Sequence, residues 1–95
     1  MKLHVTEEVA EWYKEELDID DTNQLRFYVR YGGSGGRIPG FSLGVRVDSP
    51  YEAFITCKAG GLTFFIEAKD AWYFDDNNLY VRLNQNKDEP EFVYD

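Results

Sequence analysis

Cysteine and histidine each occur once, as Cys57 and His4. A lone Cys57 closes no disulfide within the chain. One His and one Cys far apart do not make a zinc site, which usually wants four such ligands. Basic residues are also scarce: ten Lys and Arg stand against eighteen Asp and Glu, a net charge of −8. Nucleic-acid binding needs a basic surface for phosphates, and this balance argues against it. No apolar run approaches the roughly 18 residues that suggest a membrane span. Met1-Lys2-Leu3-His4 opens no hydrophobic leader, so the chain reads as cytoplasmic.

Aromatic residues, by contrast, are plentiful. Seven Phe, seven Tyr and two Trp supply core area to a chain that is 43% hydrophobic. Large rings of this kind help a small domain hold together. Ninety-five residues suit one domain over 1–95, with one core. The charge is uneven. Residues 1–24 carry two Lys against eight acids, and residues 48–95 carry four bases against ten acids. Between them, residues 25–47 hold Arg26, Arg30, Arg37 and Arg46 and no acid. These arginines either pair with the acidic helix and turns or form a local site for an anion or an acidic partner.

Thr6 is a good N-cap, with Glu7 and Glu8 placed for the helix dipole. Val9, Tyr13 and Leu17 recur at four-residue steps, which predicts an amphipathic helix over residues 6–18. Glu7, Glu11 and Glu15 form a like-charge ladder on its outer side, either a solvated face or a docking surface for a basic partner. Leu25, Phe27, Val29 and Tyr31 alternate with Arg26, Tyr28 and Arg30, and Phe41, Leu43, Val45 and Val47 alternate with Ser42, Gly44 and Arg46. Both runs predict strands. Residues 53–58 and 62–66 predict a hairpin across Gly60-Gly61. Residues 68–74 suggest a short helix presenting Trp72 and Tyr73, and residues 79–83 a last strand. Phe92, Val93 and Tyr94 suggest that the tail packs back onto the domain. The order is helix, two strands, hairpin, short helix, strand: a single β-rich α+β domain.

Between the first two strands lies Tyr31-Gly32-Gly33-Ser34-Gly35-Gly36-Arg37-Ile38-Pro39-Gly40, half of it glycine. Glycines allow close approach to the backbone, and loops on a rigid scaffold often carry function. The candidate binding residues are therefore Gly32, Gly33, Ser34, Gly35, Gly36 and Arg37, with Arg26 and Arg30 sharing one strand face beside them. A strand follows the glycines and no Lys accompanies them, so this is no phosphate loop. Ser34 has no base placed beside it in sequence and reads as a turn residue, which leaves no catalytic residue. Asp75-Asp76-Asn77-Asn78 lacks the spacing of a calcium loop. Cys57 reads as a buried, inert thiol.

The run Leu25-Arg26-Phe27-Tyr28-Val29-Arg30-Tyr31-Gly32-Gly33-Ser34-Gly35 resembles the LR-x-x-V-x-x-x-G-C-S-G segment of the HesB/IscA-type iron–sulfur biogenesis family. Gly61-Leu62-Thr63-Phe64-Phe65-Ile66 resembles that family's glycine-led strand. Ala71-Trp72-Tyr73-Phe74-Asp75, followed by Leu79, is similar to its short helix and closing strand. The chain looks closest to a short, cysteine-poor branch among uncharacterised HesB-like bacterial proteins. The resemblance implies a two-sheet β-sandwich or pseudo-barrel with an N-terminal helix and a short second helix. It also implies that the family's three cluster-binding cysteines are replaced by Ser34, Pro90 and Phe92. Iron–sulfur clusters are held by thiolates, which these residues cannot supply. The expectation is a non-enzymatic protein-interaction module without a cofactor, whose partner is a protein, a second copy included, and neither nucleic acid nor membrane. The alternative is iron or iron–sulfur cluster handling, through Cys57 across a dimer or through ligands from a partner.

Overall fold

The structure is a computed structural model and describes residues 1–33 and 36–95. Its elements are β1 (Leu3–Val5), α1 (Glu7–Leu17), β2 (Gln24–Tyr31), β3 (Phe41–Val47), β4 (Ala53–Ala59) and β5 (Leu62–Glu67), followed by a 3-10 helix (Ala68–Tyr73), β6 (Leu79–Leu83) and β7 (Pro90–Tyr94). The class is α+β and β-rich, with two sheets and two helices. One sheet has the order β1-β6-β7 and the other β3-β2-β5-β4. They meet through one core, in which Phe27 of β2 stacks on Phe64 of β5 and meets Phe92 of β7 edge-on, with ring centres 5.6 Å apart.

Helix α1 starts where the sequence signals it. Thr6 is extended, and its Oγ1 accepts the Val9 N–H at 3.3 Å. The helix ends at Asp18, a left-handed residue whose N–H returns to the Lys14 carbonyl. Val9, Ala10 and Tyr13 are buried, whereas Leu17 in the last turn is 41% exposed. The periodicity placed Leu17 on the docked face, but as the last residue of the helix it lies partly outside the core. The β4–β5 turn is the expected tight one. Gly60 and Gly61 both have positive φ between the paired Ala59 and Leu62, as a type I′ hairpin turn requires. A Cβ on Gly60 would lie 2.8 Å from that of Ala10, so the turn packs against α1.

Two strands exceed the expected element order. β1 has three residues and pairs parallel to β6, Leu3 with Leu79 and Val5 with Val81. So short a run shows too little alternation to be read locally. β7 pairs antiparallel to β6 and begins at Pro90, a residue tolerated at the start of an edge strand because its missing N–H breaks no ladder bond. The tail thus does more than pack back: it completes a sheet. Cys57 is half-buried and not fully buried as expected, because β4 is an edge strand. Among the described residues no helix is long and apolar enough to cross a membrane.

Candidate functional site

The β2–β3 register sets Arg26 opposite Arg46, Tyr28 opposite Gly44 and Arg30 opposite Ser42. Leu25 and Phe27 on the alternate positions are buried in the core, so the arginines lie on the outer side of the sheet. At the base of β2, Arg26 Nη2 meets Asp70 Oδ2 at 3.0 Å and Nη1 meets Asp48 Oδ2 at 3.4 Å. The Arg26 and Asp70 side chains are only 11% and 10% exposed. Arg46 reaches the same Asp48 at 3.7 Å, and the Tyr28 ring lies under both guanidiniums at 5.9 and 5.8 Å. The Ser49 N–H, followed by the two arginines, holds the Asp48 carboxyl below its ordinary range. The acids that meet these arginines come from the turn after β3 and from the 3-10 helix. The acids of α1 pair elsewhere, Glu8 with Lys87 and Glu11 with Lys14.

At the other end of β2 the chain enters the glycine loop. The Gly32 N–H donates to the Gly40 carbonyl at 2.7 Å and draws the two ends together. Arg30 Nε donates to Ser42 Oγ at 2.8 Å, and that hydroxyl donates to the Gly32 carbonyl at 3.0 Å. Arg30 is the one arginine without a carboxylate partner among the described residues. Gly33 lies beneath it: a Cβ there would stand 2.5 Å from Ser42 Oγ and 3.5 Å from Arg30 Nη2.

The returning half of the loop is held by Tyr73, which is fully buried. The Arg37 N–H donates to Tyr73 Oη at 2.6 Å, Arg37 Nη1 donates to the Tyr73 carbonyl at 3.0 Å, and Arg37 Nη2 faces Asp75 at 3.6 Å. Gly36 must be glycine, because a Cβ would overlap the Phe41 carbonyl oxygen and lie 2.5 Å from Tyr73 Oη. Tyr94 of β7 lies beside Tyr73, and burial, with a hydrogen bond to Tyr73, raises the pKa of its hydroxyl above the ordinary range. The expected residues therefore divide. Arg26 and Arg30 share a face, and Arg37 is turned onto the 3-10 helix. Ser34 and Gly35 lie outside the described residues.

Sequence reasoning left out the aromatic flank of this loop. Tyr31 is 91% exposed and Trp72 is 55% exposed, and both meet the Phe41 ring edge-on at 5.2 and 5.5 Å. Trp72 and Tyr73 come from adjacent positions of the 3-10 helix and face opposite ways, Trp72 to solvent and Tyr73 into the core. A hollow of about 400 Å³ runs from Gly33 past Arg37 and Pro39 to Phe41. Exposed Tyr and Trp beside Arg is the composition of protein-binding surfaces. The readable signals were the ring that ends β2 at the loop and the short helix presenting Trp72 and Tyr73, but nothing in the sequence showed that Tyr31 and Trp72 meet on Phe41. The outer side of the other sheet offers a hollow of about 350 Å³ lined by His4 and Tyr80, where Arg82 is already paired with Glu91 at 2.9 Å.

The residues at the three family cysteine positions do not fit an iron–sulfur cluster. Pro90 and Phe92 form part of β7, with Phe92 packed on Phe27, and Cys57 lies on the other sheet. Among the described residues no group of three or more His, Cys, Asp or Glu could hold a metal ion.

No protein-family model matches the chain. No solved structure matches it. A protein of Bacillus subtilis (strain 168) named pyruvate dehydrogenase inhibitor is 50% identical over 94 residues, covering 99% of both chains. An uncharacterised protein of Staphylococcus haemolyticus is 37% identical over 94% of this chain and 93% of its own length. One from Staphylococcus saprophyticus is 36% identical over 98% of each. The Bacillus match corrects the expectation of a HesB/IscA-type function, and with it the iron–sulfur alternative. A relative aligned along its whole length is named for inhibiting an enzyme and not for cluster assembly.

Proposed function

The chain belongs to the family of the Bacillus subtilis pyruvate dehydrogenase inhibitor, and from that premise we propose that it is itself a protein-binding inhibitor of pyruvate dehydrogenase. The full-length 50% identity carries this reading. The loop end of the four-stranded sheet supports it with a surface suited to contact, where Tyr31 and Trp72 are exposed around Phe41. Large aromatic side chains and arginine supply most of the energy in such contacts. The chain acts by occupying its partner and not by turning over a substrate of its own. It needs no cofactor, no nucleic acid and no membrane for this, and a cytoplasmic place suits it.

The test is to titrate the purified chain into a pyruvate dehydrogenase complex and follow pyruvate-dependent turnover. The proposal expects activity to fall in a saturable way, together with co-elution of the chain with the complex. Full activity at a large excess of chain would refute it.

A further inference from the structure

Resting on that reading, we infer that a basic segment of pyruvate dehydrogenase sets a lysine or arginine side chain beside Trp72, in the hollow between the 3-10 helix and β4. This hollow of about 450 Å³ is lined by Phe54, Ala71, Trp72 and Phe74, together with Asp75 and Asp76. Phe54 and Trp72 are each about half exposed, and Phe74 is buried. Trp72 also meets Phe41 edge-on, so it belongs to the loop end and to this hollow alike. β4 shifts register against β5 between Ala53 and Ile55, and a bulge of this kind re-aims the side chain between them, here Phe54. Asp75 and Asp76 are the central residues of a tight turn. Both have positive φ, and the Asn77 N–H donates to the Phe74 carbonyl at 2.7 Å. The turn fixes both exposed acids at the rim of an apolar hollow.

Charge identifies the occupant. Arg37 faces Asp75 at 3.6 Å, whereas Asp76 meets no base among the described residues. Lys69, one turn before Trp72 in the 3-10 helix, does not line the hollow. A lysine or arginine side chain lays its methylene stem on the Phe54 ring, holds its charge against the Trp72 ring and ends at Asp76. A purely apolar segment would cover the Asp76 carboxylate without pairing it, which is costly. A second copy of this chain fits less well, because each carries a net charge of −8 and the two repel. The same net charge draws a basic segment in.

Binding of the purified pyruvate dehydrogenase complex to the immobilised chain, at low and moderate salt, tests the inference. Three variants are compared with the wild type: Phe54→Ala, Asp76→Asn and Glu16→Gln. Asn tolerates the left-handed backbone at position 76. Glu16 is an exposed acid of α1 outside the hollow, and its change alters net charge by the same amount. Phe54→Ala should weaken binding about tenfold and Asp76→Asn about fivefold with a flatter salt dependence, while Glu16→Gln stays within about twofold. Melting temperatures should stay nearly level across the set. Wild-type binding by either Phe54→Ala or Asp76→Asn overturns the inference while the inhibitor reading stands. Equal losses from Asp76→Asn and Glu16→Gln also overturn it, because net charge alone would then govern binding. So would dimers of the chain alone, seen by sedimentation, that disappear in Phe54→Ala, since a second copy would then fill the hollow. A wild-type chain that neither binds nor inhibits the complex removes the reading and the inference together.

Discussion

Arg26 and Arg30 stand four residues apart on one face of β2, yet their surroundings are opposite. Arg26 is nearly buried, meets two carboxylates and lies over Tyr28. Arg30 is exposed and meets one serine hydroxyl. Residue type, strand and face are the same, so the difference comes from what the later chain delivers to each end. The turn after β3 and the 3-10 helix bring Asp48 and Asp70 to the base. The glycine loop brings backbone and open space to the tip. An arginine satisfied inside its own fold ties elements together. One held in place without a carboxylate is free to recognise another molecule.

The comparison breaks most visibly at the base. Asp70→Ala leaves the mostly buried Arg26 with only its longer contact to Asp48, and losing the shorter charged hydrogen bond costs about 2–3 kcal/mol. Denaturant unfolding should show that loss. At the tip, Gly36→Ala forces a Cβ into the Phe41 carbonyl and Tyr73 Oη, and overpacking of this kind costs about 2 kcal/mol. The same measurement checks it, and binding to the complex should fall along with stability. Arg30→Ala should behave differently from both, with stability changed by no more than about 0.5 kcal/mol while binding weakens.

The two ends also differ in how they answer pH. The Asp48 carboxyl at the base is held below its ordinary value of 3.8, so the folded chain takes up that proton later than the unfolded one. Its stabilising effect is present above pH 3.8 and is lost as pH falls further. Beneath the loop, the Tyr94 hydroxyl is raised above its ordinary value of 10, as is Tyr13 in α1. The unfolded chain then releases these protons first, and stability falls as pH rises past 10. Melting temperatures recorded across pH should decline on both sides, with the acid limb reduced in Asp48→Asn and the alkaline limb in Tyr94→Phe.

Much of this molecule was readable without coordinates, and the limits have physical causes. Alternation placed β2, β3 and β6 within a residue of their observed bounds, and Thr6 marked the start of α1. The pairing of β2 with β5 and of β1 with β6, both parallel, joins segments far apart in the chain and leaves no local trace. The face shared by Arg26 and Arg30 followed from a period of two. Which of them would meet an acid did not, because Asp48 and Asp70 arrive from later turns. Tyr73 and Trp72 are adjacent aromatics with the same apparent character, and only the 3-10 geometry sends one to the core and the other to the surface. The glycine loop suggested a site. The resemblance drawn from its motif gave a HesB/IscA-like interaction module, with cluster handling as the alternative, whereas the full-length relative is named for inhibiting an enzyme.

The most direct test is a side-by-side inhibition curve for the wild-type chain and Trp72→Ala against one pyruvate dehydrogenase complex. Trp72 is more than half exposed, so its loss should leave the melting temperature nearly unchanged. At a contact surface the same truncation costs about 2 kcal/mol, which moves the half-inhibiting concentration roughly thirtyfold upward. Inhibition by the wild type with that displaced curve for the variant is the predicted result. Two superimposed curves would contradict the assignment of the loop end, and no inhibition by either chain would contradict the function itself.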